Sequence, residues 1–319
     1  MLSRVADSLY WMTRYLERAE HTARVVNIQL NLMLERGRDS GAKDWMRTLR
    51  SLGVEMDEVQ PEQAQQLTLS LVHETSNRAS IVACVVAARE NARQVREQIS
   101  TEMWEQLNRL FHAVRRAETE EVWETRDFLQ SIKDGAHLFQ GITDSTMTHG
   151  DGWQFIQAGR HLERAVSVSK VVREHFREFY QAGQVAQGSE PEYIEWVGLL
   201  RSCTAFESYC KVYTADLKPH RIAEFLVLHQ YFPHSVRFSV EALEAALHQI
   251  GSDLSVRRSS PLERLTGRLR ATLGFGQIDE IMRDGLPLYL EGVLRQCMQV
   301  HSALYQTYIA YPIEAALGA

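Results

Sequence analysis

The phrase Arg-x-Leu-Glu-Arg-Ala is written twice in this chain, at Arg14–Ala19 and again at Arg160–Ala165. Guanidinium forks bind carboxylates and phosphates, and a glutamate can move a proton or position a cation. Two such motifs lining one cleft would hold the parts for amide-bond chemistry. Glu17 and Glu163 would do the acid/base work, and Arg14, Arg18, Arg160 and Arg164 would hold a carboxylate or acyl-phosphate. The same residues can instead satisfy one another. Local pairs Arg14–Glu17 and Glu20–Arg24, at i,i+3 and i,i+4, would then combine with cross-helix ion pairs to join two halves of the molecule. Both arrangements fit the residue types.

The elements that position these groups read as helices. Val5, Leu9, Met12, Leu16, Ala19, Ala23, Val26, Leu30 and Met33 step by four and three without a break, one stripe along a helix of about eight turns. Ile81, Val85, Ala88, Ala92, Val95 and Ile99 repeat that spacing in a second helix. Aligning Arg14 with Arg160 makes seven of thirteen positions identical between Arg14–Val26 and Arg160–Val172. The same offset carries most of the first stripe onto residues that can be buried, from Phe155 to Phe179. Arg14, Glu17, Arg18 and His21 then fall opposite the stripe, beside Trp11. A face that carries Trp11 is expected to meet a second neighbour, with its Arg forks held by carboxylates.

Helix boundaries are marked by Ser189-Glu-Pro-Glu192 and Ser260-Pro-Leu-Glu263, both with capping-box spacing. Asp151 can cap the helix of the second motif, and Pro219 and Pro233 can each open a short helix. Loops are expected at 37–43, 53–61, 146–152, 183–190 and 251–260. No alternating strand pattern is convincing. The expected fold is all-α: a multi-helix bundle of ten or more helices, one domain over 1–319, with pseudo-repeated halves 1–147 and 151–319.

The chain has 319 residues, of which 45% are hydrophobic and 24% charged, with a net charge of −6. That balance argues against a broad basic surface for nucleic acid or anionic lipid. The N-terminal stretch lacks the apolar core and cleavage site of a signal peptide. The longest apolar run, Ile81–Ala88, is too short to span a bilayer. Cys84, Cys203, Cys210 and Cys297 form no Cys-x-x-Cys pair and are expected reduced and buried, as in a cytoplasmic protein. Glu-x-x-His, His-Glu-x-x-His, phosphate-binding and dinucleotide-binding glycine loops, and a nucleophile elbow are all missing. The nearest metal-like spacing is a single Asp134-x-x-His137, and Glu20 has Val166 at its repeat position. No metal or cofactor is expected. Arg89, Arg93 and Arg96 line one side of the second striped helix, with Glu90 and Glu97 in pairing positions.

Taken together, several long stretches resemble the alpha-E family of bacterial helical proteins: "MLSRVADSLYWMTRYLERAEHTAR", "SIVACVVAARENARQVREQISTEMWEQLN", "DGWQFIQAGRHLERA", "WVGLLRSCTAFESYCKVY" and "IAEFLVL" followed by "FPHSVRFSVEAL". The resemblance spans nearly the whole chain. It departs at Val166, where the family would have an acidic residue, and at Arg78, where it tends to have proline. The family's glutamates map to Glu17, Glu20 and Glu163. The resemblance implies company rather than a reaction: a circularly permuted ATP-grasp ligase, a transglutaminase-like peptidase and the proteasome-like peptidase Anbu.

The expected function is therefore a non-catalytic binding or scaffold subunit of a peptide-ligation or peptide-modification system. Contact groups would be Trp11, Arg14, Glu17, Arg18, Glu20, Arg24, Arg89, Arg93, Arg160, Glu163 and Arg164, together with the region 196–213. The alternatives are an enzyme of amide-bond formation or cleavage using Glu17 and Glu163, and a purely structural homo-oligomer.

Overall fold

A computed structural model describes residues 1–36, 41–54, 63–120, 126–180, 190–214, 216–253 and 260–310. They form fourteen α-helices, and among the described residues there is no strand. In chain order these are α1 (Ser3–Arg36), α2 (Gly41–Ser51), α3 (Ala64–His73), α4 (Ile81–Gln94), α5 (Thr101–Glu120), α6 (Arg126–Thr146) and α7 (Asp151–Phe179). Then follow α8 (Glu190–Ser202), α9 (Phe206–Tyr213), α10 (Pro219–Ala223), α11 (Val236–Asp253), α12 (Pro261–Gly274), α13 (Ile278–Asp284) and α14 (Leu286–Leu304). A 3₁₀ turn covers Arg96–Gln98, and single π-helical turns continue α10 at Glu224–Leu228 and α14 at Tyr305–Ile309.

The two motif helices are the axis of the bundle. α1 is enclosed by α4, α6, α7 and α8, and α7 by α1, α2, α11 and α14. Encirclement has a direct physical consequence: neither helix has an outer face for much of its length. The apolar stripe of α1 is buried from Val5 to Val26, as its spacing predicts, but so are Arg14, Glu17, Glu20, His21 and Arg24 on the remaining faces. Leu30 and Met33 are only partly buried.

α1 and α7 run in the same direction and in register. Contacts that rise along both helices tie them together: Leu9 to Gly152, Thr13 to Ile156, Arg14 to Glu163 and Glu17 to Arg164. Their closest approach is at Thr13, which donates from Oγ1 to the Ile156 carbonyl at 3.0 Å, and Gly159. A Cβ on Gly159 would lie 2.3 Å from the Tyr10 carbonyl oxygen and 2.6 Å from Thr13 Oγ1. Only glycine lets the backbones meet there. Thr13 and Gly159 occupy equivalent places in the repeat, so the helices touch at matching positions.

Several sequence expectations need correction. α4 ends at Gln94, so Val95 and Ile99 lie beyond it, although both are buried as the spacing required. Val95 breaks the helix with φ −126° and ψ 33°. The cap of α7 is Gly150, without a side-chain bond, and Asp151 sits in the first turn. Pro233 opens no helix. It lies in the turn before α11, where Ser235 Oγ accepts from the Phe238 amide at 3.0 Å. Pro219 does open α10, and Ser260 caps α12 by accepting from the Glu263 amide at 3.2 Å. Cys210 is half-buried, whereas Cys84, Cys203 and Cys297 are buried, and all four are free. The Ser189 cap and much of the expected loops at 37–43, 53–61, 183–190 and 251–260 lie outside the described residues. No helix is long and apolar enough to cross a membrane among the described residues.

Candidate functional site

The repeated charges meet one another across the α1–α7 contact. Arg164 grips Glu17 with two bonds, from Nε to Oε1 at 2.6 Å and from Nη2 to Oε2 at 3.1 Å. Arg18, the repeat counterpart of Arg164, donates from Nε to Glu163 at 2.7 Å. Parallel, in-register helices make this exchange unavoidable: each glutamate lies level with the other helix's arginine. The repeated phrase is thus a reciprocal lock. The intrahelical Arg14–Glu17 pair expected from spacing does not form. Arg14 reaches across to Glu163 instead, with Nε and Nη2 both at 2.7 Å. Glu20 and Arg24 do pair within α1.

Around Glu163 the surroundings are closed. Two guanidiniums converge on one carboxylate. Tyr10, Trp11 and His301 pack over Arg14, whose guanidinium lies 4.6 Å from the Trp11 ring centre. The Tyr10 hydroxyl and His301 Nδ1 are 2.9 Å apart, and Arg14 Nη1 lies 3.3 Å from each. Burial pushes the Glu163 carboxyl up, but Arg14 and Arg18 outweigh it and hold it at about 2. Burial, reinforced by the nearby Arg14 charge, holds His301 neutral down to about 4.

Around Glu17 the surroundings differ. Gln140 of α6 donates to Glu17 Oε2 at 3.2 Å, and Arg164 also donates to the Pro233 carbonyl at 3.3 Å. Arg160, the counterpart of Arg14, is half-buried, and its Nε has no hydrogen-bond partner. Next along α1, Arg24 Nη2 lies 3.4 Å from His137 Nε2. His21 is buried beside Glu17 with Nε2 unpartnered, and burial lowers it to about 4 against the opposing pull of the two glutamates. Burial also lowers Arg24 to about 10 and Arg160 from its usual value, the Arg164 charge adding to the effect on Arg160.

Arg89 and Arg93 lie elsewhere, on the α4–α5 surface. Arg93 is exposed and pairs with Glu90, Nη2 to Oε1 at 2.6 Å. Arg89 donates to Asn108 at 2.7 Å and lies 4.3 Å from the Phe111 ring centre and 5.3 Å from that of Trp104. The structure therefore does not bring all the candidate contact groups to one place. Trp11, Arg14, Arg18, Glu163 form one centre; Glu17, Glu20, Arg24, Arg160, Arg164 form another; Arg89 and Arg93 belong to a separate surface. No group of three metal-ligating side chains exists among the described residues. Sequence reasoning missed Tyr10, Gly159, His301, Gln140 and His234, the last lying in the turn before α11 within reach of the Arg164 and Arg24 charges. Gly159 stands at the repeat position of Thr13, which the alignment exposes; the other four follow no spacing rule.

The repeated Glu-Arg phrase matches the motif named in one family's description. Over residues 1–309 the chain matches Alpha-E, described as "a predicted alpha-helical domain with a conserved ER motif". This chain belongs to the Alpha-E family. Similar curated proteins include Mb2597 of Mycobacterium bovis, uncharacterised, 24% identical over 97% of this chain, and MT2643 of Mycobacterium tuberculosis, also uncharacterised, with the same figures. The uncharacterised Rv2567 of Mycobacterium tuberculosis is 23% identical over 97% of this chain. This chain spans 37% of the length of these relatives. No solved structure matches it.

Proposed function

We propose that this Alpha-E protein is a non-catalytic binding and scaffold subunit of a peptide-ligation or peptide-modification system, holding an ATP-grasp ligase or presenting a peptide or carrier to it. The carrying observation is that both glutamates of the repeat are spent on structure. Glu163 is gripped by Arg14 and Arg18, and Glu17 by Arg164. A general acid or base works best with a pKa near the operating pH, and a carboxyl held at about 2 is far from it. Acid/base work by Glu17 and Glu163 in amide-bond chemistry is therefore disfavoured. The relatives' length adds support: in them the Alpha-E region is covalently joined to a longer remainder, as a subunit that works beside other domains would be.

The lock also changes which groups offer a contact. Arg14 and Arg164 are buried and engaged, and Trp196 and Tyr209 are buried. The accessible surface with interface chemistry is the α4–α5 face, where Arg89 and Arg96 lie against Trp104 and Phe111. The test is a pull-down with a purified circularly permuted ATP-grasp ligase of the kind the resemblance implies, followed by ATP turnover with and without this protein. Stable binding that changes turnover, and that Arg89→Ala weakens, is expected. No binding and unchanged turnover would overturn the scaffold reading.

A further inference from the structure

The Glu17 side of the helix pair holds more buried positive charge than it neutralises. Arg24, Arg160 and Arg164 gather there with two buried carboxylates, and each carboxylate has its own arginine: Glu20 with Arg24 and Glu17 with Arg164. Arg160 is left over. Its equivalent on the other side, Arg14, gives Nε to Glu163 at 2.7 Å. By the repeat, Arg160 would give Nε to Glu17, but Arg164 and Gln140 already occupy that carboxylate. Asp144 is near enough to act on Arg160 through space but is exposed and makes no ion pair with it.

Arg160 opens on a narrow crevice whose wall is largely apolar, from Leu16, Phe139 and Ile156, with Thr13, Glu17, Gln140, Thr143 and Gln157 as its polar side chains. About 10 Å³ is free inside it, room for a single oxygen atom or water. Two donors there lack acceptors, Arg160 Nε and Gln157 Nε2. Buried unsatisfied donors are costly, and a guanidinium without a carboxylate more so. Two unpartnered donors on residues that line a space the size of one oxygen, one of them a guanidinium, call for an acceptor that carries negative charge.

We propose that this crevice is a small-oxyanion site, in which Arg160 and Gln157 take one oxygen of a carboxylate or phosphate group whose remainder lies at the mouth. The proposal does not depend on the scaffold reading; it assigns a ligand class to a place no partner contact requires. Lys133 of α6 feels the Arg24 charge and extends the basic surroundings towards Arg24. A ligand carrying a second anionic group would extend along that line.

The test uses the full chain in chloride buffer free of other oxyanions. Inorganic phosphate and acetate are titrated separately while the Arg160 Nε–H signal is followed by ¹H–¹⁵N NMR and affinity by calorimetry. The signal is expected to move and saturate with at least one of the two. Arg160→Gln is expected to weaken binding at least tenfold, and Arg160→Lys less, while Arg93→Gln binds as the parent does. A response to acetate identifies a carboxylate, such as a peptide terminus, and a response to phosphate a phosphoryl group. No saturable shift with either, or equal affinity in Arg160→Gln, would overturn the site. Because Arg160 makes no ion pair, its variants should keep the parent's unfolding midpoint; the NMR shift of the parent decides the matter should they not.

Discussion

Glu163 and Glu17 occupy equivalent places in a repeat, yet their neighbourhoods differ. Glu163 takes both arginines of the α1 motif, Arg14 and Arg18, and is roofed by Tyr10, Trp11 and His301. Glu17 takes one arginine and a glutamine, and leaves Arg160 unpaired. The same phrase therefore makes a sealed lock on one side and an open, charge-rich crevice on the other. Symmetry in the motif does not carry over to what packs on it: α14 covers one centre, while α6 and the turn before α11 flank the other. Duplicated sequence can supply stability at one copy and free the second for binding.

The largest effect should separate the two centres by stability. Glu163→Gln strands the buried Arg14 and the half-buried Arg18 and should cost about 4 kcal/mol, the usual range for breaking a buried pair. Glu17→Gln strands only Arg164, which keeps the Pro233 carbonyl, and should cost about half as much by the same reasoning. Urea midpoints of the two variants measure this, and equal losses would break the comparison.

Acid should act next. His21, His161 and His234 are held neutral by burial, His21 down to about 4 from the usual 6.5. The unfolded chain takes up these protons first, so the stability is present above pH 6.5 and falls as pH drops towards 4. His21 alone should account for about 3 kcal/mol of that fall. Glu163, lowered from 4.5 to about 2, gives stability present above 4.5 and lost as pH falls through 2. Stability measured from pH 7 to 2 should decline through both windows, and His21→Gln should flatten only the upper one.

A smaller loss, about 2 kcal/mol, is expected for Gly159→Ala, because the added methyl would press on the Tyr10 carbonyl and the helices must separate. Thermal unfolding checks it, and an unchanged midpoint would mean that the α1–α7 contact is looser than drawn. Arg93→Ala removes an exposed pair with Glu90 and should leave the midpoint where it was.

The helical class, the repeat and the family were legible because periodicity and long motifs survive in one dimension. The mutual use of the charges was visible as one of two readings, since each copy of the phrase brings both arginines and a glutamate. What spacing could not reveal was direction. Arg14 can reach Glu17 on its own helix or Glu163 on the next, and nothing in the sequence says that α7 lies parallel and level with α1. Nor does an amphipathic pattern describe a helix enclosed on every side; it assigns one buried face, whereas Glu17, Glu20 and His21 lie inside as well. His301 and His234 joined the two centres from distant segments, where no periodic signal leads.

Parallel neighbours also dictate an order of assembly. Two helices running the same way cannot be joined by a tight turn, so the chain from 37 to 150 must be laid down between them before Glu17 meets Arg164. Contacts so far apart in sequence form slowly, because a large loop must close before they contribute. During synthesis α1 waits with its buried charges bare until α7 emerges. A fragment ending at residue 147 should accordingly fail to reach a cooperative native state, whatever its helical content, since its arginines and glutamates would have to be stripped of water with no counterpart to receive them.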